Sequence, residues 1–275
     1  MSKIDLNSIG KTKEGTFKYD WKTCALYNLG IGARAEDLEF VYERVESGMK
    51  VFPSFATIVA GSGLFWPPGT DMVRLLHGEQ LIRLYMPFKS DGTIHTKTVI
   101  ENIYDKGKAA LIHTKISGHT PEGEHVFDTL FVFFVGGAGG FGGDPGPKTE
   151  LINPPEGVEP DFSVSYQTSL DQAAFYRLNG DYNPLHIDPN FAKKAGLPKP
   201  ILHGLCTYGI ATRAIVYGLC DVDVSHFKEF SARFKSVVFP GEKLTTEGWK
   251  DNGRYIIQVR KDDTVVLGNA YAIIE

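Results

Sequence analysis

The stretch GLCTYGIATRAIVYGL, Gly204–Leu219, decides the fold. Apolar side chains cover nearly every face of the helix it would form, whereas a surface helix shows a single apolar stripe. Such a helix has to be enclosed. The sequence that follows supplies the enclosure. KLTTEGWK (Lys243–Lys250), RYIIQVRK (Arg254–Lys261) and VVLGNAYAII (Val265–Ile274) alternate apolar and polar residues, separated by the turn signals DNG and KDD. Alternation broken by such turns reads as antiparallel strands.

One buried helix wrapped by a long antiparallel sheet is a hot-dog unit, an α+β arrangement. Upstream, the same order recurs. VFPSFAT (Val51–Thr57) lies on ILHGLCT (Ile201–Thr207) at an offset of 150, and LYMPFKSDGT (Leu84–Thr93) meets RFKSVVFPGEKL (Arg233–Leu244) at nearly the same offset. Alternating segments follow here too: TKTVIENIYDKGKAALIHTKISG (Thr96–Gly118) and HVFDTLFVFFVG (His125–Gly136). The shared order points to duplication, hence a double hot dog. Seven glycines between Gly136 and Gly146, followed by prolines, exclude a helix or strand between the halves. The expected organisation is a first unit at 1–145, a Gly/Pro-rich linker at 146–160 and a second unit at 161–275.

Composition narrows the class. With 42% apolar and 23% charged residues, the chain reads as a soluble globular protein, and a formal charge of −4 gives no reason to expect a nucleic-acid partner. Three cysteines (Cys24, Cys206, Cys220) do not make a disulfide framework and fit a reducing, intracellular compartment. The start MSKIDLNSIGKTKEG lacks the apolar core of a secretory signal, and no run of about 20 apolar residues exists to span a membrane.

Chemistry concentrates in YRLNGDYNPLHIDPNFAKKAGLPKPILHGLCTYG, Tyr176–Gly209. Ser169-x-x-Gln172 predicts a capping box opening a helix through Leu178, stopped by Gly180. Asp188-Pro189 predicts the cap and first residue of a short helix ending at Gly196. Asp181 and His186 then fall in an irregular loop, with Asn183-Pro184 turning between them. A carboxylate and an imidazole around one water form an acid/base pair. The competing structural reading has Asp181 capping the turn and His186 bonded to a backbone carbonyl. Gly204 opens the buried helix, so its N–H is a free donor at the positive end of the dipole, suited to a carbonyl that gains charge. Together these parts suit hydration, dehydration or acyl hydrolysis next to a carbonyl.

Gly-Asp-x-Asn-Pro-Leu-His-x-Asp followed by Pro-Ile-Leu-His-Gly resembles the motif of the (R)-specific enoyl-CoA hydratases, the hydratase 2 branch of the MaoC-like dehydratases. YNLGIGA (Tyr27–Ala33), HGEQ (His77–Gln80), GGAGGFGG (Gly136–Gly143) and RFKSVVFPGE (Arg233–Glu242) resemble stretches of the hydratase 2 unit of peroxisomal multifunctional enzymes of type 2. The resemblance implies hydration of trans-2-enoyl-CoA to (3R)-3-hydroxyacyl-CoA in fatty-acid β-oxidation. It carries the catalytic acid to Asp181, the histidine to His186, the supporting amide to Asn183 and the thioester-holding N–H to Gly204. It also implies a first half that lost its own motif and takes the acyl tail. No Asp-x-Asn-Pro-x-His precedes Gly136, and Pro53-Ser54 stands where the second half has His203-Gly204. The substrate is an acyl-CoA thioester, no metal or redox cofactor is needed, and a homodimer is expected. The peroxisome is suggested by the resemblance, although AYAIIE at the C-terminus is not a Ser-Lys-Leu-type tripeptide, which keeps the cytoplasm and mitochondrion open.

For substrate contacts the sequence offers His203, Arg233 and Lys235, with Lys193, Lys194 and Lys199, toward coenzyme A. Phe52, Phe55, Phe65 and Trp66 are candidates for lining an acyl tunnel, with core packing as the alternative. His77, His95, His113, His119, His125 and His226 read as surface or hydrogen-bonding residues. Gly137-x-Gly139-x-x-Gly142 spells a dinucleotide fingerprint, but Asp144-Pro145-Gly146-Pro147 cannot open the helix it needs. His203-x-x-Cys206 has no second ligand pair for a metal. An acyl-CoA thioesterase, or a non-catalytic acyl-CoA or sterol-binding module on the same fold, are the competing functions.

Overall fold

The computed structural model describes residues 4–148 and 150–275; Met1-Ser2-Lys3 of the polar start and Thr149 of the expected linker lie outside the described residues. The first half runs β1 (Thr12–Tyr19), α1 (Trp21–Gly30), α2 (Leu38–Val41), a 3-10 turn (Pro53–Phe55), α3 (Ala56–Gly61), then β2 (Leu75–Leu84), β3 (Gly92–Asp105), β4 (Ala109–His119) and β5 (His125–Gly136). The second half repeats it: β6 (Phe162–Gln167), α4 (Gln172–Tyr176), α5 (Pro189–Lys194), α6 (Gly204–Leu219), β7 (Phe227–Phe234), β8 (Lys243–Asp251), β9 (Arg254–Lys261) and β10 (Thr264–Ile274).

All ten strands form one sheet in the order β1-β3-β4-β5-β2-β7-β10-β9-β8-β6. Outward from the central β2–β7 seam, both halves repeat one order, so the double hot dog is present. At the seam Leu81 lies opposite Ser231, its own counterpart at the 150-residue offset. A register in which a residue faces its own copy is the one a two-fold axis between the repeats demands. Pairing β2 with β7 also gives each half's otherwise open edge a partner.

The alternation predicted from sequence appears as burial: Ile100, Ile112, Ile116, Phe127 and Phe131 point inward in the first half, Phe230, Ile257, Val259 and Leu267 in the second. The DNG signal becomes the β8–β9 hairpin, with Asn252 at φ 46° and Gly253 at φ 85°, both left-handed as a tight hairpin turn requires. Helix α6 is enclosed; Ile210, Ile215 and Val216 are at most 2% exposed, each burial contributing about 1.5–3 kcal/mol. Its first-half counterpart α3 ends at Gly61, and Pro67-Pro68 bars a helical continuation. Leu64, Phe65 and Trp66 leave the helix path here and pack half-buried against the core.

Between β5 and β6 the described residues have no regular structure, but the segment is pinned. Ile152 is buried against Trp249 and Ile256, its N–H donates to Asn269 Oδ1 at 2.9 Å, and Trp249 Nε1 donates to the Val158 carbonyl at 2.9 Å. The glycine-rich loop before it holds an anion of the protein's own. Gly140 and Gly142 N–H donate to the Asp105 carboxylate at 2.8 and 2.7 Å, and Gly107 N–H adds a third bond at 2.8 Å. Those bonds pull the Asp105 carboxyl below its ordinary pKa. Among the described residues no helix is long and apolar enough to cross a membrane.

Candidate active site

The loop that carries Asp181 is built by local capping. Gly180, at φ 115°, stops the helical run Gln172–Asn179 in a conformation that favours glycine. The predicted capping box is half formed: Ser169 N–H donates to Gln172 Oε1 at 3.2 Å, while Ser169 Oγ accepts from Asp171 N–H instead of the N–H three residues on. Asp181 Oδ1 then accepts from Asn183 N–H at 3.2 Å. Asn183 Oδ1 caps the following 3-10 turn, Pro184–His186, by accepting from Leu185 N–H at 3.0 Å. The Asn183 side chain therefore shapes the turn, and its backbone N–H is what meets the Asp181 carboxylate. Asp188 caps α5 as predicted, accepting from Asn190 and Phe191 N–H groups.

His186 arrives at the end of that turn, 9% exposed. Its Nδ1 sits 2.9 Å from the Ile201 carbonyl oxygen. A carbonyl only accepts, so Nδ1 carries the proton and Nε2 presents a lone pair. Burial pushes the His186 imidazole below its ordinary pKa, opposed by the Ile201 bond and the Asp181 charge; the ring is a neutral base at neutral pH. The structural reading of His186 as bonded to a backbone carbonyl is thus correct, and that bond is what frees Nε2.

His203, at the N-cap of α6, is 1% exposed and stacks on His186, ring centroids 3.7 Å apart. Its Nε2–H donates to the Asp181 backbone carbonyl at 3.2 Å. Burial first, then neighbouring His186, push its pKa down to about 4. Offered by the sequence as a substrate contact, His203 is buried here, bonded to the Asp181 backbone and stacked on His186. One polar atom from each of Asp181, His186 and His203 lies within 4.8 Å of the others. The trio suits a metal poorly: imidazole lone pairs lie in the ring plane, and stacked rings send them side by side, not to one point.

Gly204 follows at the exposed start of α6, where the first N–H groups have no carbonyl within the helix. A Cβ there would meet the Phe234 ring at 3.1–3.6 Å, so the ring lies flush against the glycine. The first half has no equivalent opening. Pro53 lacks an N–H, and Ser54 is fully buried with its Oγ accepting from Tyr27 Oη at 2.7 Å.

The remaining candidates divide. Arg233 is latched to Glu79 across the seam, Nε to Oε1 at 2.9 Å with Nη2 on the same oxygen, so its charge is engaged on the sheet. Lys235 is exposed, and Lys199 lies over the Phe239 ring at 5.1 Å. Lys193 and Lys194 close the last turn of α5, where cations suit the helix dipole. Phe52 and Phe55 are corrected from substrate contacts to core: both are 0% exposed, Phe52 stacked on Phe40 at 4.0 Å and Phe55 edge-on to Tyr19 and Phe88. Reading the sequence missed His77, which reaches this centre from β2. Asp181 acts on it electrostatically, burial holds its pKa near about 4, and its ring packs on Phe234. A cavity of about 630 Å³ runs past His77, Glu79, Arg233 and Phe234 toward Lys106 and Lys148.

Both halves of the chain are similar to known proteins. Residues 152–270 match the MaoC like domain and residues 17–137 the MFE-2 hydratase 2 N-terminal domain. A probable enoyl-CoA hydratase 2 of Dictyostelium discoideum is 39% identical, covering 99% of this chain and 97% of its own. The peroxisomal multifunctional enzyme type 2 of Mus musculus is 41% identical over 90% of this chain, which spans 35% of that longer protein. A crystal structure of a MaoC-like dehydratase from Phytophthora capsici superposes with a TM-score of 0.91 at 32% identity, covering 99% of this chain and 98% of that one. The chain belongs to the MaoC-like dehydratase family, in the form in which a hydratase 2 N-terminal domain precedes the MaoC domain.

Proposed function

We propose that the protein hydrates trans-2-enoyl-CoA to (3R)-3-hydroxyacyl-CoA, a hydro-lyase of fatty-acid β-oxidation. One observation carries this reading: a neutral His186 with a free Nε2, the Asp181 carboxylate and the open N-terminus of α6 stand together in one stretch. Relatives named enoyl-CoA hydratase 2 and peroxisomal multifunctional enzyme type 2 support it.

The Gly204 N–H donates to the thioester oxygen, which draws electron density from C3 and stabilises the enolate that forms. One water sits between His186 Nε2 and the Asp181 carboxylate. Its oxygen adds to C3 while its proton passes to Nε2. That proton crosses to Asp181 and is handed to C2 on the same face, so OH and H come from one side and both residues are restored. Asn183 contributes by fixing the turn and, through its N–H, the carboxylate. No step calls for a redox or metal group.

Within this reading residues 1–145 serve the acyl tail, 146–160 link the halves, and 161–275 carry the chemistry. Peroxisomal relatives favour the same compartment here. Exposed Phe175, Leu178, Tyr182 and Ile187 beside the site supply apolar surface for a homodimer, which light scattering checks.

Asp181→Asn and His186→Ala test the assignment. General acid–base catalysis contributes roughly 10²–10⁴-fold, so each variant should lose at least about 100-fold in kcat on crotonyl-CoA. Near-full hydration by either one would overturn it. Release of free thiol without hydration would instead establish the thioesterase.

A further inference from the structure

We propose that His77 of the first half is a positioning residue of the active site: its ring holds Phe234, and Phe234 in turn sets the Gly204 N–H. This rests on the reading that Gly204 holds the thioester oxygen.

The argument begins at the seam. β2 pairs with β5 and β7 at once, and its register against β5 shifts between His77 and Glu79. Gly78 is the extra residue of that bulge, and bulges redirect the side chains beside them. Glu79 takes one face and binds Arg233 of β7. His77 lies opposite Phe133 on the other, inward face. Phe234 shares that face with the buried Ala232 and Phe230, two and four residues earlier on β7.

His77 is held by three aromatic rings and one hydrogen bond. Its ring stacks on Phe131 at 5.2 Å and lies 4.9 Å from both Phe133 and Phe234. Its Nε2–H donates to the Glu79 carbonyl at 3.1 Å. Glu79 therefore fixes both latches, Arg233 through its carboxylate and His77 through its backbone. Phe234 is pressed between His77 and the Gly204 Cα. Shortening His77 removes one wall of that sandwich, and the ring that backs the α6 terminus is free to withdraw. A catalytic donor displaced by about 1 Å costs up to roughly 100-fold. The second half thus owns the reacting groups, yet a first-half side chain sets how well its oxyanion donor is aimed.

The test measures kcat, KM and melting for His77→Ala, His77→Phe, Phe234→Leu and His77→Ala/Phe234→Leu with crotonyl-CoA, too short to engage a distant tail site. His77→Ala should lose about 10- to 100-fold in kcat with KM within threefold of wild type. His77→Phe restores a ring of similar size and should regain most of that loss. The double variant should fall no further than the worse single one, because both break one chain of contacts. If His77→Ala does not fold, His77→Phe and Phe234→Leu carry the test: near-wild-type kcat in the first and a 10- to 100-fold loss in the second. The proposal is overturned if His77→Ala keeps kcat within twofold, if His77→Phe is no better than alanine, or if the losses multiply. Wild-type protein inactive on enoyl-CoA would instead sink the hydratase reading, so the two failures are distinct.

Discussion

Replacing Gly204 by alanine should separate catalysis from stability. The added methyl keeps the N–H and lands 3.1 and 3.3 Å from two atoms of the Phe234 ring, with a third at 3.6 Å. Carbon contacts are comfortable at about 3.5–4.0 Å, so the overlap is a few tenths of an ångström against a ring wedged by His77. Overpacking of this kind costs about 1–3 kcal/mol if nothing moves. Relief comes from rotating the ring or backing α6 away, and the second aims the N–H off the thioester oxygen. Loss of a whole oxyanion donor costs roughly 10²–10³-fold, and partial misaiming a share of that, about 10- to 100-fold in kcat. In folding, alanine's better helix propensity, up to about 1 kcal/mol over glycine, offsets much of the overlap. Steady-state hydration of crotonyl-CoA beside a melting curve should show a large fall in kcat with a melting midpoint within about 3 °C. Full kcat in Gly204→Ala would refute the reasoning, since it would show that the Phe234 ring yields freely and that crowding it does not turn the Gly204 N–H.

Three further outcomes rest on the buried histidines and on the irregular strand β10. Burial holds His77 and His203 near pKa about 4, against about 6.5 in the unfolded chain. Between those values the unfolded state binds more protons, so stability is full above pH 6.5 and declines as pH falls toward 4; the loss at pH 5 should be about 4 kcal/mol for the pair, and a urea midpoint at pH 5 no lower than at pH 7 contradicts it. His186 is depressed as well, which places the acid limb of kcat/KM below pH 6.5; a limb above that value would mean another group is the base. Asn269 stands at φ 49° in the irregular register of β10 and accepts from Ile152 N–H; Asn269→Ala loses that bond and strains the backbone, about 2 kcal/mol in all, read as a drop of several degrees in melting temperature, with Asn269→Asp much milder.

The parts legible in the sequence were those whose signal is local. Apolar continuity announced α6, alternation announced β3, β4, β5, β8, β9 and β10, and cap residues such as Gly180 and Asp188 marked the loop that bears Asp181 and His186. Strand β1 was hidden because Thr12–Tyr19 lies at the sheet margin with most side chains exposed or half-exposed, leaving no apolar alternation to read. His77 was hidden for a different reason. HGEQ carries the family resemblance but gives no sign that its histidine reaches the site; that place arises from a bulge and from pairing with β7, more than 150 residues away. Phe52 and Phe55 show the converse, since aromatic rings read the same whether they line a tunnel or fill a core. The glycine run reads as a connector without a phosphate site, and the structure adds what its N–H groups hold: Asp105, which alternation alone does not single out.

The most direct measurement is the fate of trans-2-decenoyl-CoA with the wild-type protein, following loss of enoyl absorbance, free thiol and the configuration of the product together. The account predicts rapid loss of absorbance, no thiol release, and 3-hydroxydecanoyl-CoA that is almost wholly the 3R isomer, because His186 and Asp181 hold their water on one face of a thioester fixed by Gly204. A racemic or 3S product, or thiol release in step with the absorbance change, would contradict it.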